Sequence, residues 1–425
     1  MASEKKYAPF RALALIYIVL VVLGFVALLI PGVATRPLSN IEALFTCISA
    51  VTLTGLQVCD FAGIFTTQGQ IIVLALIECG AVTIISFSLY FGWVLGKAHL
   101  FTYTEAFLNE EVKPLSAYLV ILRKTVFYLF FFQLVCSGIL YTFWTGVDIH
   151  FTVQEKFKYA FFHGFSVFAH SGFSNLEGNF SNPHVSHAYI LLLAVTGVIV
   201  LGSIGYATMF DLISIKRLRE RMADPTKNWT LQTRVALYST LILIAGSTIC
   251  WFILEQNHAL KEQKLVEAAF TALFNVAGAR SAGFYSVPLG MLGYWIMILY
   301  MLLMVIGPAA TSAGGGIKTS VFYKIGKDGL KFNGNSFGLF AAGVIIVSIL
   351  GIYLTNPLFS LRSIKFEMLS AFTNCGLSYG ITPTLSLTGK YILMADMLLG
   401  RIGFPVLMYL YLKGKPGVKE DVLMS

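Results

Sequence analysis

The chain has 425 residues, 57% of them hydrophobic and only 12% charged, with a mean hydropathy of +0.77, where an ordinary soluble domain carries roughly 25% charge. These proportions exclude a soluble globular enzyme. The 30 Lys+Arg against 21 Asp+Glu leave a net charge of +9, which in so apolar a chain reports cytoplasmic loops rather than nucleic-acid binding.

Apolar runs long enough to span a bilayer lie near 10–30, 70–95, 117–144, 188–213, 232–255, 292–306, 337–355 and 389–412. The first follows Lys5, Lys6 and Arg11 but lacks a small-residue cleavage pattern, so it is expected to be a transmembrane helix rather than a signal peptide. Eight spans at roughly 20 residues each use about 160 to 200 residues. More than half of the chain is left over.

Part of that surplus is a repeat. Between the two runs of each successive pair lie mixed segments at 40–56, 155–174, 264–284 and 363–378, too short and too polar to span. They align on a glycine: Phe45-Thr-Cys-Ile-Ser-Ala-Val-Thr-Leu-Thr-Gly55, Phe162-His-Gly-Phe-Ser-Val-Phe-Ala-His-Ser-Gly172, Leu273-Phe-Asn-Val-Ala-Gly-Ala-Arg-Ser-Ala-Gly283 and Phe366-Glu-Met-Leu-Ser-Ala-Phe-Thr-Asn-Cys-Gly376. A lone glycine near a helix end is most often a C-cap; four in register are a repeat. The second run of each unit adds a small-residue cluster, Glu78-Cys-Gly80, Gly202-Ser-Ile-Gly205, Gly307-Pro308 onward and Gly400-Arg-Ile-Gly403. Taken alone, these clusters also fit close packing between membrane helices.

Charge gives the topology. The segments 1–11, 96–124, 214–234, 316–335 and 413–425 hold 3, 4, 6, 4 and 3 Lys+Arg, 20 of the 30. The positive-inside rule puts them, with both termini, in the cytoplasm, so the glycine loops open outward. The dense stretch Lys216-Arg-Leu-Arg-Glu-Arg221 sets topology or meets lipid or a partner. The six cysteines (Cys47, Cys59, Cys79, Cys136, Cys250, Cys375) form no Cys-x-x-Cys pair and read as small hydrophobes.

The expected fold is therefore all-α and polytopic, with four span–half-helix–span repeats around a pseudo-fourfold pore and eight transmembrane helices. Irregular backbone at membrane depth survives only where it is buried in protein or lines a cavity. Four glycine loops on a common axis would aim carbonyls at one line and replace the hydration shell of a cation. Glycine permits the left-handed conformations this needs, and the negative C-terminal ends of the half-helices favour a cation.

These glycine loops, the run Gly307-Pro-Ala-Ala-Thr-Ser-Ala-Gly-Gly-Gly-Ile-Lys-Thr319 and Gly400-Arg-Ile-Gly-Phe-Pro405 resemble the ion-translocating subunit of the Trk/Ktr/HKT superfamily of potassium transporters. The resemblance runs from about residue 10 to 412. The short stretch before the first run makes the chain more like the bacterial Ktr type than the longer Trk subunits. The implied repeats are 1–110, 111–225, 226–330 and 331–425. The implied filter comprises Leu53, Thr54 and Gly55; His170, Ser171 and Gly172; Ser281, Ala282 and Gly283; and Asn374, Cys375 and Gly376. Some plant relatives that favour sodium carry serine at the first glycine; four glycines imply K+ as the transported ion, with Na+ as a possible co-substrate or activator.

The resemblance also implies an intramembrane gate loop at 307–316, whose alternative is a simple kink at Pro308. Its residues are Gly307, Thr311, Ser312, Gly314, Gly315 and Gly316, with Lys318 beside them and Arg401 as an electrostatic barrier below the filter. An intramembrane charge is a functional candidate by default; snorkelling is the alternative for Arg401. Glu78 departs from the family pattern, and its carboxylate could attract cations, pair with Arg401 or be protonated. Arg280 is expected to position the third half-helix and His170 to pack its ring behind the loop. Asp60 either gathers cations at the outer mouth or is an ordinary loop carboxylate.

The chain has no Gly-x-x-x-x-Gly-Lys-Ser/Thr loop and no Gly-x-Gly-x-x-Gly after a predicted strand, so no nucleotide site of its own is expected. The resemblance implies a homodimer in the cell inner (plasma) membrane and a separate cytosolic nucleotide-binding regulatory subunit of RCK/KTN type, docking on the basic loops at 216–234 and 318–331. The expected function is gradient- and potential-driven potassium uptake, with a sodium-coupled symporter or a less selective monovalent cation transporter as the alternative. A membrane-embedded enzyme would need paired acids, His or Cys in the spans; apart from Glu78, Arg401 and Asp396 these are chemically bare.

Overall fold

The computed structural model describes residues 2–95, 115–147, 151–224, 229–320, 322–323 and 335–403. Most of 96–124 and 316–335, all of 413–425 and the end of the last apolar run lie outside these residues. The described chain is helical, without strands; two isolated bridges join Ala34 to Phe65 and Ile306 to Ile317.

In chain order the helices are α1 (Ala2–Leu28), α2 (Asn40–Val51), α3 (Phe61–Ile64), α4 (Thr67–Leu95), α5 (Leu115–Trp144), α6 (Val153–Phe168) and α7 (Tyr189–Ile204). They continue as α8 (Tyr206–Ile213), α9 (Ile215–Ala223), α10 (Leu231–Glu255), α11 (Leu265–Ala279) and α12 (Tyr294–Val305). The last three are α13 (Asn335–Thr355), α14 (Leu361–Phe372) and α15 (Leu387–Leu398), which runs into a π-helical turn at Leu399–Gly403.

Three described stretches are long and apolar enough to cross a membrane alone: Thr67–Leu89, Leu122–Trp144 and Leu231–Glu255. Their outward faces are greasy: Leu241, Ile242, Leu134 and Ile253 are 66%, 69%, 54% and 57% exposed. Shorter apolar helices occupy Ala12–Leu28, Tyr294–Val305 and Ala341–Thr355. The run 188–213 is not one continuous helix but two, α7 and α8, which together are long and apolar enough to cross a membrane and are bent by 100° where Gly205 adopts φ 78° and ψ 158°. That conformation is open to glycine and closed to side-chain-bearing residues.

Three apolar cores hold the helices together. One joins Tyr17 of α1, Val51 of α2, Ile77 of α4, Leu140 of α5, Phe168 of α6 and Tyr206 of α8. A second packs Trp251 of α10 on Ala272, Tyr300 and Phe366. The third carries the packing back to the beginning, because Phe45 and Ile48 of α2 meet Ile352, Met368 and Leu393 of the last three helices. The order of elements thus closes on itself around the loops that follow α2, α6, α11 and α14.

Candidate functional site: four glycine loops and the segment beneath them

Each short helix is started by its own sequence. Ser39 and Glu42 form a capping box on α2, as do Thr152 and Glu155 on α6. On α11 the Lys264 N–H donates to Glu267 Oε2 at 3.2 Å, and on α14 Ser360 Oγ accepts from the Ser363 N–H at 3.1 Å. Caps of this kind satisfy first-turn N–H groups that otherwise lack partners. On α2 and α6 the signal is present in the sequence as Ser/Thr-x-x-Glu.

At the other end the chain leaves the helix in the same way four times. Leu53, His170, Ser281 and Asn374, each two residues before its glycine, have φ of 56°, 57°, 63° and 51°. The glycines follow at 89°, 72°, 77° and 87° for Gly55, Gly172, Gly283 and Gly376. Left-handed backbone is uncommon for a residue with a side chain and costs roughly 1–3 kcal/mol. Its recurrence means that the surroundings impose it. Left-handed residues alternating with ordinary ones turn successive carbonyls to one side, the arrangement a carbonyl-lined filter requires.

The glycines come together as a ring. A Cβ on Gly55 would lie 2.7 Å from the Cα of Gly172, and one on Gly172 would lie 3.1 and 3.5 Å from the Cα atoms of Gly55 and Gly283. A Cβ on Gly283 would lie 3.6 Å from Gly376 Cα, and one on Gly376 would lie 3.1 Å from Gly55 Cα. Every neighbour is backbone of another loop and cannot swing aside.

The remaining loop residues tie the loops together. Thr54 Oγ1 accepts from Asn374 Nδ2 at 2.9 Å, and Asn374 Nδ2 also reaches the Met397 carbonyl at 2.9 Å. Cys375 Sγ lies 3.4 Å from the Ala279 carbonyl. The His170 ring lies behind the loop with each nitrogen 3.1 Å from a carbonyl oxygen, of Ser281 and of Ile199. Ser171 Oγ pairs with Ser166 Oγ at 2.7 Å, and Ala282 is fully buried.

Side chains that the sequence reading missed hold each loop to its own helix. Ser49 Oγ accepts from the Gly55 N–H at 3.0 Å and donates to the Leu56 carbonyl. His163 Nε2 lies 2.9 Å from Ser174 Oγ, and Asn275 Oδ1 accepts from the Ser286 N–H at 3.1 Å. Glu367, wholly buried, accepts from Ser378, Thr382 and the Tyr379 N–H. The glycine clusters of the following helices serve close approach. Gly80, Gly202 and Gly400 face the carbonyls of Val51, Phe168 and Phe372, each four residues before a ring glycine, with no room for a Cβ.

The irregular segment 306–318 lies directly under the ring. The Gly315 N–H donates to Ser281 Oγ at 2.7 Å, and a Cβ on Gly314 would lie 3.3 Å from His170 Nδ1. Gly307 is anchored by its N–H to the Ile317 carbonyl at 2.9 Å. Lys318 Nζ donates to the Ser312 carbonyl, to Ser312 Oγ and to the Gly314 carbonyl, while Arg401 Nη2 donates to the Ala313 carbonyl at 2.8 Å. Thr311 faces the bend between α7 and α8: its carbonyl accepts from the Tyr206 N–H and its Oγ1 from the Ala207 N–H, both at 3.3 Å. Gly316 takes φ 73° where the segment turns back towards Ile317.

The other charged candidates resolve differently. Glu78 accepts from Gln133 Nε2 at 2.8 Å, so the pairing with Arg401 that the sequence allowed is not made. Asp396 accepts from Ser348 at 2.9 Å. Asp60 is exposed and caps α3 through the Gly63 N–H. Arg280 caps the end of α11, is 2% exposed, and has no hydrogen-bond partner for its guanidinium among the described residues.

The model of the TrkH family, described as a cation transport protein, matches residues 8–336 and 331–412. The Ktr system potassium uptake protein B of Bacillus subtilis is 29% identical over 94% of this chain and 92% of that protein. The potassium/sodium uptake protein NtpJ of Enterococcus hirae is 27% identical over 96% of this chain and 93% of that protein. The crystal structure of the potassium transporter TrkH from Vibrio parahaemolyticus superimposes with a TM-score of 0.72 at 20% identity, covering 94% of this chain and 84% of that one, which shows a shared fold. With its family model matched over almost its whole length, the chain belongs to the TrkH family of cation transport proteins.

Proposed function

We propose that this chain is the ion-conducting subunit of a potassium uptake system, with Gly55, Gly172, Gly283 and Gly376 as the core of a carbonyl filter and 307–316 as its gate. The observation that carries the reading is the ring of four glycines, each preceded by a left-handed residue two positions earlier. That backbone is costly, and a carbonyl filter is what gives it a use. The four units are taken as span–half-helix–span repeats at 1–110, 111–225, 226–330 and 331–425, with eight spans in all. The basic face and both termini are taken as cytoplasmic, in the cell inner (plasma) membrane.

A cation moving inward through the potential gains roughly 2.3 kcal/mol per 100 mV, sufficient for accumulation without ATP in this chain. The names of the Ktr relatives favour K+ as the ion, and that of the potassium/sodium relative keeps Na+ as a co-substrate or activator. The Ktr likeness supports a homodimer working with a cytosolic nucleotide-binding subunit of RCK/KTN type. The test is rubidium and potassium uptake into proteoliposomes with and without sodium, comparing the wild type with Gly55→Ser and Gly376→Ser. Altered flux and K+/Na+ preference are expected. Unchanged values in both variants would sink the filter assignment.

A further inference from the structure

A second site opens where α5 meets the bent end of α7–α8. Arg123, Lys124, Phe127 and Phe132 of α5 form one wall of a cleft of about 730 Å³, and Met209 and Ile213 of α8 belong to the other. This is within the roughly 300–1,000 Å³ of small-molecule sites. One end is cationic and the rest is apolar. Arg123 and Lys124 are both exposed, and neither makes an ion pair with a described acid. Asp211, the buried acid of α8, is fully engaged elsewhere: it accepts from Arg217 Nη1 at 2.6 Å, Thr233 Oγ1 at 2.6 Å and the Thr230 N–H at 3.1 Å, and from Arg221.

The depth of the cleft selects its occupant. Lys124 lies 20 residues, about 30 Å of helix, from Trp144 at the other end of α5, roughly one hydrocarbon thickness, which puts Arg123 and Lys124 near the level of lipid headgroups, while Phe127 and Phe132 lie about one and two turns deeper. Phe127 and Ile213 are 64% and 54% exposed. A ligand that satisfies both ends has an anionic phosphate and an acyl chain. We propose that this cleft binds an anionic glycerophospholipid, its headgroup phosphate on Arg123 and Lys124 and its chain along Phe127, Phe132 and Met209.

The site also has a consequence for the gate. Helix α8 has the lipid cleft on one side and, at its first residues, the 306–318 segment on the other, through Tyr206, Ala207 and Thr311. Gly205 is packed closely on Thr311 and Ser312, with no room between them for a side chain. Bound lipid braces α8 and thereby holds the segment in place beneath the ring, which lowers basal flux. This last step rests on the reading of 307–316 as the gate.

The experiment is native mass spectrometry of the full-length protein titrated with phosphatidylglycerol, phosphatidylcholine or inorganic phosphate, for wild type, Arg123→Gln/Lys124→Gln and Arg123→Lys. Phosphatidylglycerol alone is expected to bind the wild type tightly. The double variant should lose roughly thirtyfold in affinity, from two basic contacts at the membrane surface, and Arg123→Lys should retain most of it. In parallel, basal potassium flux of the wild type should fall when phosphatidylglycerol is added to phosphatidylcholine vesicles, and that of the double variant should not. Equal binding of phosphatidylcholine, competition by inorganic phosphate, or undiminished binding by the double variant overturns the site. Lipid-insensitive flux with intact binding overturns the brace. Absence of potassium flux under every condition counts against the transport reading instead, and binding still decides the site.

Discussion

Lys318 and Arg401 grip three consecutive carbonyls of one loop: Lys318 Nζ holds those of Ser312 and Gly314, and Arg401 Nη2 holds that of Ala313 between them. Lys318 follows the loop directly, whereas Arg401 comes from 83 positions further along the chain. A charge-assisted hydrogen bond is worth about 1.5–3 kcal/mol. Losing one should therefore shift a closed-to-open balance by roughly tenfold or more. Arg401→Gln and Lys318→Gln are expected to raise basal rubidium uptake into proteoliposomes, and reduced uptake with normal folding would contradict a restraining role.

Shortening 309–316 should act in the same direction. The excision removes the Ala309 N–H bond to the Ser203 carbonyl and the Thr311 contacts to α8 along with the loop itself. Uptake above the wild-type rate is the expected result. A fall or no change would mean that the segment is not a closed gate.

Substitution within the ring should be far more costly than substitution of a helical glycine. Gly376→Ala places a methyl group against the Thr54 carbonyl at a residue with φ 87°. Gly197 on α7 has nothing within 4 Å of such a methyl, so Gly197→Ala should be neutral or stabilising by up to about 1 kcal/mol. Comparing K+/Na+ preference and thermal stability of the two variants makes the distinction; equal effects would remove the special status of the ring.

Glu367 tests whether the tethers matter to selection. It holds Ser378, Tyr379 and Thr382 on the outer limb of the fourth loop. Glu367→Ala leaves the buried Thr382 hydroxyl without this partner, at about 1–3 kcal/mol, and releases the half-buried Ser378 and Tyr379 donors. Weaker K+/Na+ discrimination with some loss of stability is expected, and Glu367→Gln should recover part of both. Discrimination identical to wild type in the Ala variant would restrict Glu367 to packing.

The Arg36–Glu42 pair at the start of α2 predicts a pH dependence. Hydrogen bonding to the Arg36 guanidinium, 2.5 Å away, holds the Glu42 carboxyl at about 2, below its ordinary 4.5. A depressed folded-state value gives stability that is complete above the unfolded value and is lost as pH falls from there through the folded one. The pair is solvent-exposed, so the contribution is small. Melting of wild type and Glu42→Gln should differ most near about pH 7 and converge towards about pH 2. A gap that stays constant over that window would show that the ion pair contributes nothing.

The sequence by itself determined the membrane class, the four aligned glycines, the short helices ahead of them and the interruption after Val305. Each of these is a local matter of hydropathy, period and a residue type that only one backbone conformation needs. The α7–α8 bend was not legible in the same way. Gly202 and Gly205 look alike in sequence, yet Gly202 packs on Phe168 while Gly205 turns the chain.

Only the tertiary structure decided which glycines touch, because the ring closes between residues more than ninety positions apart. It alone made Leu53, His170, Ser281 and Asn374 left-handed, since nothing in a leucine or a serine asks for positive φ. It also placed Arg401 on Ala313 rather than on Glu78, and Lys318 inside the loop rather than among the cytoplasmic charges. Charges in an apolar chain are sorted by which carbonyls or amides the folded helices bring within reach, and composition carries no information about that.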